Sequence, residues 1–169
     1  MAGSWAARIT NAGARAGNAA RLLSRLHAVA YRASGGRAMP RWFGAPVLVL
    51  ETVRRRTGRP RATPLIHVRD GDDLIVMAAN AGSARPPAWS LNLLAAGEAE
   101  VVLGRRRRRV RPEVVDWPER ERLWQRLHAA YPAIASYEQY AGRELPVIRL
   151  SPAAPASPPP DRARPASPA

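Results

Sequence analysis

The chain has no cysteine and no lysine, and only three histidines and one phenylalanine. Without cysteine there can be no disulfide, no thiolate nucleophile and no cysteine-ligated metal. His27, His67 and His128 are scattered, with neither a His-x-x-His nor a His-Glu-x-x-His spacing, so no protein-built metal site is expected. No stretch approaches the roughly 20 apolar residues of a membrane span. The start of the chain lacks the continuous apolar core of a signal peptide, and the cytoplasm is the expected compartment. Acids are scarce too: 13 Asp and Glu stand against 27 arginines, a formal net charge of +14. An arginine-only, alanine- and proline-rich composition is what a GC-rich genome produces, which accounts for much of the excess. The remainder implies attraction to anions, whether phosphate, nucleic acid or an acidic membrane surface.

What is present suits one domain: 169 residues, 46% of them hydrophobic. Residues 1–20 are Ala/Gly/Arg-rich and read as a loose leader. Leu22, Leu23, Leu26, Val29 and Ala30 recur at helical spacing and predict a helix over about 19–31, ended by Ser34-Gly35-Gly36. Its leucines and arginines suit a membrane surface, a partner groove, or packing on the rest of the domain. Residues 37–45 read as a loop. Strands are predicted at 46–53, 63–69, 73–79, 99–104, 107–115 and 145–150, with turns at 57–60 and at Asp70-Gly71. A helical turn is expected over 89–96, a helix from Pro118 to about Ala130, and an irregular helical piece over 132–141. From Ser151 on, seven prolines in nineteen residues predict a disordered tail. The core domain then spans residues 21–150. Strands in hairpins, rather than alternating with helices, predict a mainly β (α+β) fold: a small antiparallel split barrel with an N-terminal helix and peripheral C-terminal helices.

Residues 54–61 carry five arginines, bent by Gly58 and Pro60. Arginine forks bind phosphate or carboxylate bidentately, and Thr57 and the turn amides add donors. A solvated hairpin turn is the plainer reading. The segment from Ala79-Asn80 to Asn92 has small residues that let a flat ring approach the backbone. Trp89 and Asn92 share a helical face, where Asn92 can bond the main chain of a neighbouring loop and Trp89 reads as core. Tyr137 and Tyr140 lie one turn apart, and a phenol can donate a proton. Arg105–Arg109 with Arg111 fall at a hairpin where alternation points them to both sides. No aromatic interleaves for base stacking, which argues against nucleic acid.

In this order, Arg55-Arg-Thr-Gly-Arg-Pro-Arg, Thr63-Pro-Leu, Asp70-Gly, Pro87-Ala-Trp-Ser-Leu-Asn-Leu, Tyr131-Pro and Arg143-Glu-Leu-Pro-Val resemble the deazaflavin-dependent nitroreductase family of split β-barrel proteins. The resemblance covers roughly residues 20–150. It implies coenzyme F420 as hydride carrier and a small-molecule electron acceptor: a quinone, nitro compound or activated alkene. It implies that Arg55, Arg56, Thr57 and Arg61 hold the phosphate tail. Ala62, Thr63, Pro64, Leu65 and Ile66 with Met77, Ala78, Ala79 and Asn80 would line the deazaflavin. Ala88, Trp89, Ser90, Leu91 and Asn92 would close over it, with Tyr137 facing the substrate. A homodimer and peripheral contact of the N-terminal helix with the inner face of the membrane are further expectations. The chain departs from the family pattern at Arg54, Ala79-Asn80, Ser90 and Ile134, where a glycine, a Ser-Lys pair, an aromatic and a tyrosine are usual. Those departures leave a non-catalytic F420 carrier as the alternative.

Overall fold

The computed structural model describes residues 22, 26, 28–35, 40–42 and 44–153. Helix α1 is described at 22, 26 and 28–33. Strands β1 (Arg41–Trp42), β2 (Ala45–Val53), β3 (Pro60–Ile66), β4 (Val68–Asp70) and β5 (Asp73–Met77) follow. Next come helix α2 (Ala88–Ala96), strands β6 (Ala99–Leu103) and β7 (Arg106–Val114), helices α3 (Glu119–Ala130) and α4 (Ala135–Ala141), and strand β8 (Val147–Pro152). All ladders are antiparallel. The sheet runs β1-β2-β6-β7-β8-β5-β4, with β3 also paired to β2. It curls until β3 approaches β5 without a ladder between them, so the barrel is split there.

Strand β2 shows why its sequence is a continuous apolar run. Leu48 and Leu50 point into the barrel with Leu74, Val76, Val101, Val110, Ile148 and Leu150. On the other face Val49 packs with Val102 against Ala28 and Tyr31 of α1. A strand covered on both faces loses the apolar–polar alternation of a half-solvated one. Trp89 and Leu93 of α2 join the interior cluster, so α2 stoppers one end of the barrel. Helices α3 and α4 cover the outer face of β5 and β8, where Leu123, Leu127 and Ile134 meet Ile75 and Val147.

Several sequence expectations are corrected. The expected strand 63–69 is two strands, broken at the buried His67, whose N–H still donates to Pro46 O at 3.1 Å. The expected loop 37–45 contains β1. Strand β8 runs on through Ser151 and Pro152, beyond the expected stop at Leu150. Pro118 caps α3 from outside rather than opening it. The leucine face of α1 does not pack on the barrel: Leu22, Leu26 and Val29 are 57–64% exposed, while Ala28 and Tyr31 are buried. The expected leader 1–20 and tail beyond Ala153 lie outside the described residues.

Candidate functional site

The β2–β3 hairpin places the arginine turn at the α2 end of the barrel. Gly58 N and Thr57 N both donate to Arg54 O, at 2.9 and 3.2 Å, and Arg54 N donates to Arg59 O. This tight loop pushes Arg55, Arg56, Thr57 and Arg59 into solvent. Asn92 of α2 is buried, and its Oδ1 accepts from Arg55 N at 3.3 Å and from Arg55 Nη1 at 3.4 Å. The main-chain bond expected of Asn92 is therefore made, and it ties helix to turn.

The barrel interior changes character here. Thr52 and Arg54 continue the inward alternation of Leu48 and Leu50, and Arg61 stands opposite Thr52 in the ladder. Thr52 Oγ1 and Arg54 Nε are buried and have no partner, whereas Arg61 Nε donates to Thr63 Oγ1 at 3.4 Å. Buried donors without acceptors are costly unless a ligand or water completes them. Phosphate oxygens are the acceptors such a group would take, so the residues present fit an anionic tail. Arg54, which stands where the family usually has glycine, thus adds a donor. The inward parity from Leu50 through Thr52 could have revealed it.

The expected ring-lining residues divide. Ala78 is in the barrel core, and Ala79 packs with Ala141 and Leu145. Met77 is half-buried against the α3–α4 layer. Asn80 is exposed, and its Nδ2 donates to Arg85 O at 3.0 Å. Along β3, Ala62, Pro64 and Ile66 lie on the α1 side of the sheet, while Thr63 and Leu65 face inward. In α2, Trp89, Ser90 and Asn92 turn into the barrel, and only Ala88 and Leu91 of the expected closing segment face out. Ser90 Oγ donates to Pro87 O at 2.9 Å, steadying the first turn of α2.

The segment Asn80-Ala81-Gly82 is left-handed throughout, with φ of 51, 52 and 75°. Two consecutive non-glycine residues in this region are strained. Arg143 holds them from behind: its Nη2 donates to Ala78 O at 3.2 Å and to Ser83 O at 3.4 Å. Gly82 lies so close to α4 that a Cβ there would stand 2.9 Å from Tyr140 Cβ and 3.3 Å from Tyr137 O. Tyr137 and Tyr131 hydroxyls are 3.0 Å apart. Burial, with that hydroxyl contact second, pushes the Tyr137 phenol up to about 12, so it keeps its proton through neutral pH. Tyr140, its neighbour one turn on, is exposed. Ile134 is core, not substrate-facing. Among the described residues no group of three or more His, Asp or Glu is placed to hold a metal.

An arginine turn, unmet buried donors and a strained small-residue loop on an antiparallel split barrel define a class: split-barrel binders of an anionic ligand. An F420H(2)-dependent quinone reductase of Mycobacterium tuberculosis is 35% identical over 133 residues, 76% of this chain and 89% of the relative. A solved F420-H2 dependent reductase superimposes with a TM-score of 0.58 at 25% identity, over 63% of this chain and 94% of that one. A structure described as a domain-swapped dimer, 22% identical with a TM-score of 0.59 over 79% and 94% of the two chains, shares the fold. Residues 23–152 match the F420H(2)-dependent quinone reductase family, and the chain belongs to it. Its cofactor is coenzyme F420, and it is an F420H2-dependent oxidoreductase.

Proposed function

We propose that the chain reduces a quinone at the end of the barrel where turn, α2 and the left-handed loop meet. The observation that carries this reading is the pair of unmet buried donors, Thr52 Oγ1 and Arg54 Nε, beside a turn anchored by Asn92. Arg55, Arg56, Thr57 and Arg61 hold the phosphate tail, with Arg54 as an added donor. From the run Ala62–Ile66 the inward Thr63 and Leu65, with main chain of Met77–Asn80, form the bed of the deazaflavin, and Ala88 and Leu91 cover it. Trp89, Ser90 and Asn92 act from inside the barrel by fixing α2. When bound, reduced F420 supplies the hydride. Tyr137, kept protonated beside Tyr131, is the proton donor to the reduced acceptor.

The exposed apolar stripe Leu22, Leu26 and Val29 on α1 ends near Arg32 and Arg105. Apolar side chains beside arginines complement an anionic lipid surface, and we assign this stripe to peripheral contact with the membrane in which a quinone dissolves.

Mixing the protein with reduced F420 and following its oxidation tests the chemistry. Oxidation that requires added menadione is the expected result. Binding without acceptor-dependent oxidation would identify a carrier, and no binding would reject the site. Arg55→Ala with Arg56→Ala is expected to weaken F420 binding by about 2–4 kcal/mol through two lost charge-assisted contacts. Unchanged affinity would reduce the turn to a surface loop.

A further inference from the structure

The other end of the barrel is also cationic, and the cofactor reading makes no use of it. There the β4–β5 turn, the β6–β7 turn and the end of β3 converge. Side chains directly opposite in an antiparallel ladder point to one face. Arg69 pairs with Leu74, Arg108 with Val101 and Arg106 with Leu103, all interior residues, so the three arginines face inward. His67 lies two residues beyond the inward Leu65 and is only 3% exposed. The interior therefore passes from leucine and valine to the buried His67 and the half-buried Arg108, with Arg69 and Arg106 exposed at the rim.

The polar atoms of this group are incompletely met. Arg108 Nη1 donates to Asp72 O at 2.9 Å, but Arg108 Nε and Nη2 are buried without partners, as is His67 Nδ1. The nearby Asp72 and Asp73 carboxylates offset part of the Arg108 charge, but burial and Arg69 outweigh them. Asp73 is engaged by Arg149 at 3.3 Å, and Asp72 sits in the exposed turn. Burial first, then the charges of Arg69 and Arg108, hold the His67 imidazole down to about 4, so it is neutral at pH 7. Two guanidinium N–H groups of one arginine and a second arginine at the rim describe a receptor for oxygen acceptors, and the imidazole beside them could join as a donor only once protonated.

We propose that this end of the barrel is a second anion site, taking a small free oxyanion such as inorganic phosphate on Arg108 and Arg69 with His67 alongside. The site is separate from the arginine turn, since the two lie at opposite ends of β2 and β3.

With three histidines in the chain, imidazole NMR can follow His67 directly. Inorganic phosphate is expected to move the His67 ring signals saturably and to raise the pH at which they titrate, because a bound anion favours the imidazolium. Arg108→Met should abolish the response. Arg69→Gln, at an exposed position that leaves the packing alone, should weaken it at least fivefold. Arg55→Ala/Arg56→Ala should leave it intact, although phosphate binding at the turn is then lost. Chloride at matched ionic strength is the control for screening. The proposal is overturned if His67 is unmoved by phosphate, if chloride has the same effect, or if the response survives in both Arg108→Met and Arg69→Gln.

Discussion

His67 shows how one side chain can set the response of the fold to acid. Its folded pKa of about 4 lies below the 6.5 of an unfolded imidazole. Between those values the unfolded chain binds the proton and the folded chain does not, so stability falls as pH falls through that window. At pH 5 the loss is about 2 kcal/mol relative to pH 7, by the 1.36 kcal/mol per unit rule. Below pH 4, Asp70 and Glu119 add to it, because hydrogen bonds from Arg122 and Arg149 respectively hold their carboxyls below the ordinary range. Urea unfolding at pH 7 and 5 in a buffer without oxyanions measures the upper window. His67→Asn should remove the difference, and equal stabilities for the parent chain would show that the imidazole is not desolvated. Some of this scale was legible in the sequence. Asn92 was readable because a buried amide three residues from a core tryptophan must bond something, and the arginine turn is nearby. His67 was not, because its break in the ladder comes from the bend between β3 and β4, and Ile66-His67-Val68 reads as uninterrupted strand.

Among the elements, α1 departs most from its pattern. Leucine spacing pointed to one packing face, and the barrel uses another. Among the described residues of α1, Ala28 and the ring of Tyr31 pack on the outer side of β2 and β6, and the Tyr31 hydroxyl donates to Val47 O at 3.1 Å and accepts from Gly104 N at 2.9 Å. Strands were more legible because each hairpin fixes its own alternation locally. The loop 80–82 is the element on which the proposed ring bed depends, and its geometry rests on α4. Gly82→Ala at φ +75° would force a Cβ to 2.9 Å from Tyr140 Cβ and 3.3 Å from Tyr137 O, and neither a Cβ fixed to its main chain nor a carbonyl can swing aside. A cost of about 1–3 kcal/mol is expected. It should be seen as a lower Tm and as at least fivefold weaker F420 binding. If both measurements match the parent, the loop is not braced by α4.

For the whole molecule, the proposed membrane contact of the exposed α1 stripe makes a prediction that neither end of the barrel makes. The chain should cosediment with phosphatidylglycerol vesicles and not with phosphatidylcholine ones. Leu22→Ser with Leu26→Ser should abolish binding while leaving F420 affinity unchanged. Equal sedimentation with both lipids, or retention by the double variant, would remove α1 from the membrane. Among the described residues no helix is long and apolar enough to cross it.

The ion pairs are arranged as unevenly as the arginines. Glu51, Glu98, Glu100, Asp70, Asp73, Glu113, Glu119, Glu138 and Glu144 are each engaged by an arginine. Most of these acids lie along the sheet's outer face and under α3 and α4, so the flanks are close to self-neutralised. Among the described residues none of these acids engages Arg54, Arg55, Arg56 or Arg59 of the arginine turn. A diffusing polyanion therefore meets an uncompensated cationic turn at the α2 end of the barrel. Capture of the cofactor should slow steeply as salt shortens the Debye length from about 30 Å at 0.01 M to about 8 Å at 0.15 M, while its rate of departure changes little.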